Sequence, residues 1–186
     1  KIGITGSLAS GKTTASKIIS FRRGPLFSAD KAVKEIYKNK HFKSLVSKRF
    51  KIKNNSKLKK SLKKLILKNK DNIKKLERII HPLVRKKMKK FTTQNENKKL
   101  LFYEIPLLIE SKLMRHFNVI VLIKAKRQLR LNRFKSKSGD KKLFNLLNNK
   151  QMNDIKKTKF CDYVVVNEKN LNILKKNLLA MISKYE

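Results

Sequence analysis

Two kinds of hydrophobic pattern alternate along the chain. Short apolar runs occur at residues 2–5, 26–28, 100–108, 118–123 and 163–166. Runs of that length without strict alternation predict strands covered on both faces, as in a parallel sheet. Between them, apolar residues recur every three or four positions, which predicts helices with one buried face. The first such helix covers 13–19 and another follows Asp30, at 31–36. Residues 39–70 carry two more, one through Phe42, Leu45, Val46 and Phe50 and one through Leu58, Leu62, Leu65, Ile66 and Leu67, split by the polar turn 53–56. A longer stretch runs from Asp71 through Ile73, Leu76, Ile79, Ile80, Leu83, Val84 and Met88, with Pro82 expected to break it, kink it or start a new helix. Thr92 to Asn97 read as a polar loop. Helices at 140–152 and 171–185 complete the set, the last capped by Asn170.

Strand and helix in alternation predict an α/β fold, a three-layer parallel five-stranded sheet. Only helices lie between the second and third strands, so that region is expected to be an insertion. The expected boundaries are a core of 1–37, 98–125 and 153–186, a helical insertion at about 38–97, and a lid at about 126–152.

The first strand runs directly into Gly6-Ser7-Leu8-Ala9-Ser10-Gly11-Lys12-Thr13, followed by Thr14. This fits G-x-x-x-x-G-K-[ST] in the required order of strand, loop and helix. A loop of small residues turns successive backbone N–H groups toward one point and makes a nest for phosphate. The following helix adds its unpaired N–H groups and its dipole. In that arrangement Lys12 reaches the outer phosphates and the Thr13 hydroxyl ligates Mg²⁺. ATP and Mg²⁺ are therefore the expected ligands, against the alternative of a chance match to a short pattern.

Composition narrows the setting. One cysteine, Cys161, excludes an internal disulfide and a cysteine-built metal site. No apolar run approaches a membrane span, and the opening residues form the loop rather than a secretory signal, so a cytoplasmic protein is expected. The chain opens at Lys1 without Met, which suggests trimming before it. The net charge of +38 comes from 41 lysines and 9 arginines against 12 acids. One reading is a nucleic-acid binder. The other is drift toward lysine and asparagine on solvated faces. The lysines are spread along the chain and no aromatic nucleic-acid signature accompanies them, which favours drift; no nucleic acid or membrane partner is expected, and a monomer is.

Against so few acids, particular carboxylates stand out. Asp30 follows the second strand, at the sheet edge where α/β folds bind ligands. It could accept a proton from an attacking hydroxyl, help to hold Mg²⁺, or simply cap the helix that follows. Glu104 interrupts an apolar strand, where a lone charge is costly unless it faces a site; Glu110 is a weaker candidate. His81 precedes a proline and reads as structural or ligand-facing. Residues 126–142 carry Arg127, Arg130, Arg133, Lys135 and Lys137, cations suited to a lid over transferring phosphate, although in so basic a chain any one of them can be a solvated side chain.

These residues together resemble the dephospho-CoA kinase family over essentially the whole chain. The resemblance rests on residues 5–13, Ser28-Ala29-Asp30, His81-Pro82-Leu83-Val84, Glu104-Ile105-Pro106-Leu107-Leu108-Ile109-Glu110, and Gln151 ahead of Lys157, Cys161-Asp162 and Asn167. It implies a P-loop kinase fold of the nucleoside-monophosphate-kinase type with a helical CoA-binding domain and a lid. The implied reaction moves the γ-phosphate of MgATP to the ribose 3′-hydroxyl of dephospho-CoA, the last step of coenzyme A synthesis. Carried over by position, Asp30 is the base, Lys12 and Thr13 keep their loop roles, and Glu104 stands at an acidic position that is usually Asp. His81 matches a histidine near the substrate. Arg133 matches a lid arginine if one residue is inserted upstream, and Lys137 then replaces a second. The chain departs from the family at Ser7 and Ala9, often glycine, at Ser28, often Asp, and at Lys59, usually a substrate-binding arginine whose bidentate fork lysine lacks.

Overall fold

The computed structural model describes residues 1–69 and 71–186; Lys70 and the side chain of Leu67, the last apolar position expected on its helix, lie outside the described residues. Five strands form one parallel sheet in the order β2-β3-β1-β4-β5. They are β1 (Ile2–Thr5), β2 (Leu26–Ser28), β3 (Phe102–Glu104), β4 (Val119–Lys124) and β5 (Tyr163–Val166). The chain divides into two compact units, residues 1–28 with 95–186, and residues 29–94.

The first unit holds the sheet. Its central strands are apolar on both faces because helices cover both. Ile2 and Ile4 of β1 and Val121 and Ile123 of β4 pack with Ala15 and Ile19 of α1 (Lys12–Ser20), and with Leu174, Leu178 and Ile182 of α9 (Leu171–Ile182). Asn170 caps α9 as expected, accepting the Ile173 N–H at 3.0 Å. β3 is shorter than the apolar run of 100–108. It ends at Glu104, ahead of Pro106, and the chain then turns through 106–112. In register, Glu104 lies between Ile4 of β1 and Ser28 of β2.

The second unit is helical: α2 (Ala29–Ile36), α3 (Lys40–Phe50), α4 (Leu58–Lys68) and α5 (Asp71–Gln94). Ile36, Phe42, Val46, Leu58, Leu62, Leu76 and Ile80 form its core, drawn from the residues that the three-and-four spacing marked. α5 runs unbroken through Pro82. The ring removes one backbone bond, to the carbonyl four residues back, and the turns on either side carry the helix across. α5 also absorbs Thr92 to Gln94, expected as loop. The Thr92 hydroxyl donates to Met88 O at 2.9 Å, satisfying a carbonyl of the last turns.

After β4 come α6 (Arg127–Lys135), α7 (Lys141–Asn148) and α8 (Asp154–Thr158). The helix expected over 140–152 therefore stops at Asn148. Asn153 starts α8 instead, accepting the Ile155 N–H at 2.9 Å. Among the described residues no helix is long and apolar enough to cross a membrane.

Candidate active site

β1 delivers the chain into the loop at its carboxyl edge, and α1 leads out of it. Two glycines are required there. Gly6 has φ 150°, and a Cβ on it would lie 2.3 Å from Ile123 O of β4. Gly11 has φ 98°, and a Cβ would lie 2.1 Å from Asn167 Nδ2. Ala9 also takes a left-handed conformation, φ 59°. The first bond of α1 is Ala15 N–H to Gly11 O at 3.0 Å, so the N–H groups of Lys12, Thr13 and Thr14 precede the intrahelical ladder. The start of α1 thus presents the donor set that a polyphosphate needs.

Lys12 is buried, and its Nζ donates to Ser7 O at 2.9 Å, folding the ammonium back over the loop. Thr13, the second residue of α1, donates its hydroxyl to Glu104 Oε1 at 2.5 Å. Glu104 is only 3% exposed. A hydroxyl and a carboxylate oxygen at the end of the strands form a hard, all-oxygen pair. Mg²⁺ takes one or two such protein oxygens and fills its octahedron with water and phosphate, so these residues fit that ion. Among the described residues no group of three or more His, Cys, Asp or Glu side chains is placed to hold a metal.

Of the two lid cations that the sequence pointed to, Arg133 reaches the loop. Its Nη2 donates to Asn167 O at 3.1 Å, and its Nη1 lies 3.5 Å from Ser10 O. Lys137 follows α6 and is exposed. Asp30, Lys59 and His81 belong to the helical unit. Asp30 lies in the first turn of α2, which begins at Ala29, so it is an acid at the positive end of the helix rather than its cap. It is exposed. Lys59 is exposed on α4, its ammonium 5.2 Å from the centre of the Tyr37 ring. His81 is half-buried on α5.

Asp154 went unmarked by the sequence, whereas Arg130 was among the candidate lid cations and Gln151 and Asn167 among the residues of the family resemblance. Arg130, open to reading as a lid cation or a solvated side chain, is buried: its Nε donates to Ala125 O at 3.1 Å, and its Nη1 to Leu8 O at 3.2 Å and Asn148 Oδ1 at 2.8 Å. Burial pulls its guanidinium below the ordinary range, and the charge of Asp154 opposes that. Asp154 accepts the Ser7 hydroxyl. Gln151 Oε1 accepts the Leu8 N–H at 2.7 Å, and Asn167 Nδ2 donates to Ser10 O at 2.9 Å. Scarcity could have found Asp154: in a chain with 12 acids against 50 cations, each carboxylate that persists is a candidate.

The family model for dephospho-CoA kinase, CoaE, matches residues 1–172. The chain belongs to the dephospho-CoA kinase family. It is 32% identical to the dephospho-CoA kinase of Bartonella quintana over 97% of this chain and 95% of that one, and 31% identical to that of Rickettsia prowazekii over 100% and 97%. Among solved structures it is similar to TT1252 from Thermus thermophilus, with TM-score 0.82 and 26% identity over 98% of this chain and 96% of that one. A shikimate kinase from Bacteroides thetaiotaomicron shares the fold, with TM-score 0.55 and 13% identity over 98% and 96% of the two chains. The activity is that of a dephospho-CoA kinase, a phosphotransferase that uses ATP in the final step of coenzyme A biosynthesis.

Proposed function

We propose that Gly6 to Thr14 hold the phosphates of ATP, that Thr13 and Glu104 hold Mg²⁺, and that Asp30 receives the proton of the 3′-hydroxyl of dephospho-CoA. The observation that carries this is the Thr13–Glu104 pair, 2.5 Å apart where the loop, α1 and β3 converge. When bound, Mg²⁺ supplies charge neutralisation at the transferring phosphoryl group. The chain's own work is positioning. The nest and the start of α1 fix the phosphates, Lys12 turns from Ser7 O to the outer oxygens, and Arg133 supplies a fork of donors beside Ser10.

Asp30 suits its role by chemistry and place. It follows the last residue of β2 by two positions in the chain, and it is exposed rather than committed to the core. A carboxylate there accepts a hydroxyl proton as the oxygen attacks. His81 and Lys59 contribute to holding dephospho-CoA, and residues 126–152 act as the lid, with Lys137 as its second cation.

A coupled ADP-release assay with dephospho-CoA, adenosine, AMP or RNA as the second component tests the whole scheme. Turnover with dephospho-CoA is expected, and stimulation by RNA alone overturns it. Asp30→Asn is expected to lower kcat by about 10²- to 10⁴-fold, the usual contribution of a positioned acid–base group, while ADP still binds. Full turnover in that variant removes Asp30 as the base.

A further inference from the structure

Ala9 is the residue at which the loop asks most of an L-amino acid. At φ 59° its Cβ is in the region that glycine enters without strain. Such a conformation persists only where the surroundings over-determine it, and here the neighbours on both sides are pinned. On one side the Leu8 N–H donates to Gln151 Oε1 at 2.7 Å, Leu8 O accepts Arg130 Nη1 at 3.2 Å, and the Ser7 hydroxyl donates to Asp154 Oδ1. On the other, Ser10 O accepts from Asn167 Nδ2 at 2.9 Å.

Two of these partners, Gln151 and Asp154, come from one short segment, and that segment has its own anchor. Glu110 Oε1 accepts the Met152 N–H at 2.9 Å and forms an ion pair with Lys157 Nζ at 3.0 Å. Lys157 is fully buried, and neither its Nζ nor Glu110 Oε2 has a hydrogen-bond partner among the described residues. Buried charge of that kind is costly, yet the pair fixes residues 152–157 against the turn after β3. Asp154 brings a negative charge to a loop that takes phosphate, and Arg130 lies close enough to offset it.

We infer that residues 151–157, anchored on Glu110, clamp the phosphate loop in its receptive shape, and that Gln151 and Asp154 are positioning residues for ATP. The clamp replaces conformational freedom that a glycine at position 9 would supply. It touches no reacting atom, so its effect falls on nucleotide affinity: a loop that is receptive only part of the time binds more weakly by that fraction. The inference rests on the reading that this loop takes the phosphates of ATP.

The test uses Gln151→Ala, Asp154→Asn and Ser7→Ala in the full chain, with ADP titrated calorimetrically and KM measured for each substrate. Each variant is expected to weaken ADP binding and raise the KM for ATP by roughly five- to tenfold, the loss typical of one hydrogen bond. The KM for dephospho-CoA should stay within about twofold, since a clamp on this loop acts on nucleotide binding. Adding Ala9→Gly to Gln151→Ala should restore at least about half of the loss, because glycine holds the turn without help. A merely structural defect gives no such rescue, so its failure overturns the clamp. If the unaltered enzyme does not bind ADP, the phosphate-loop reading itself fails. If it binds and the variants bind equally, only the clamp fails. Should Asp154→Asn not fold, Ser7→Ala breaks the same bond from the other side.

Discussion

The two units bury different things. Of the thirteen polar or charged residues buried among those described, twelve belong to the unit with the phosphate loop, and the helical unit has only Ser47. Basic residues run the other way: residues 29–94 hold 24 of the 50, leaving 26 for the remaining 120 positions. A buried polar group is costly unless it is paired, so it survives where its position serves a site. An exposed lysine on an amphipathic helix costs little, and α4 (Leu58–Lys68) carries them around a buried Leu58 and Leu62. Lysine is therefore densest where the ammonium stays solvated, while the buried cations Lys12, Arg130 and Lys157 all belong to the loop unit. Arg130 and Arg133 spend their guanidinium donors on loop carbonyls, a geometry that a single ammonium does not reproduce, while Lys59 is exposed on α4.

The sharpest way to break this contrast is to remove one lysine from each unit. Lys12→Ala takes away a buried ammonium that folds over the loop, and kcat is expected to fall by about 10³-fold, as when one charge-stabilising donor is lost. The far-UV circular dichroism should be unchanged. Lys63→Ala, on the solvated face of α4, should leave kcat and both KM values within about twofold. Equal losses in steady-state assays would mean that lysines act as interchangeable counter-charge, and the contrast would collapse.

Cys161 probes the buried network itself. Its thiol donates to Lys157 O at 3.2 Å, and burial, with the Asp162 carboxylate adding to it, pushes it from 9.0 up to about 11. A thiol titrating there carries about a hundredth of the ordinary thiolate at pH 8, so iodoacetamide should label it about a hundredfold more slowly than a free thiol. The sign for stability follows: a raised folded-state value favours the protonated form in the fold. That contribution is complete below pH 9 and is lost as pH rises from 9 toward 11, where the unfolded chain has given up its proton first. Labelling at the rate of a free thiol, with unfolding flat across that window, would show the network open to water.

The same contrast explains what could be read from the sequence. β1, β4, β5, the loop and the amphipathic helices follow from local spacing, because a buried face leaves its period in the chain. Glu104 was visible as a charge in an apolar run. Asp154 was not, because its partner Ser7 lies 147 residues away, and Arg130 was visible only as one lid cation among several, its contact with Leu8 spanning 122 residues. Turns were blurred for another reason. Lys51 and Lys112 take positive φ where glycine would have signalled the bend. The end of the helix at Asn148 was missed because no Gly or Pro punctuates residues 149–153.

At the oxygen pair a smaller change is expected. Glu104→Gln keeps the shape and the Thr13 hydrogen bond but removes the charge, so the Mg²⁺ concentration for half-maximal rate should rise about tenfold, with ADP binding in the absence of metal unchanged. A variant with unaltered Mg²⁺ dependence would make Glu104 a partner of Thr13 and nothing more.

The smallest effect is the one that decides what the lysines of the helical unit are for. Lys64 has Lys60 one turn before it and Lys68 one turn after it on α4, all three exposed. Each like-charge pair at that spacing destabilises a helix slightly, and each opposite pair stabilises it by a similar amount. Lys64→Glu converts two repulsions into two attractions and should raise unfolding stability by about 1 kcal/mol at low salt, with most of the gain lost at 1 M salt as the charges are screened. If these lysines are solvated drift, KM for dephospho-CoA stays within about twofold while the melting temperature rises. If they form a surface for polyanions, the substitution lowers affinity for the substrate or for RNA at the same time as it steadies the helix. Stability and binding then move in opposite directions, and the lysines of this unit have a function that the loop unit does not share.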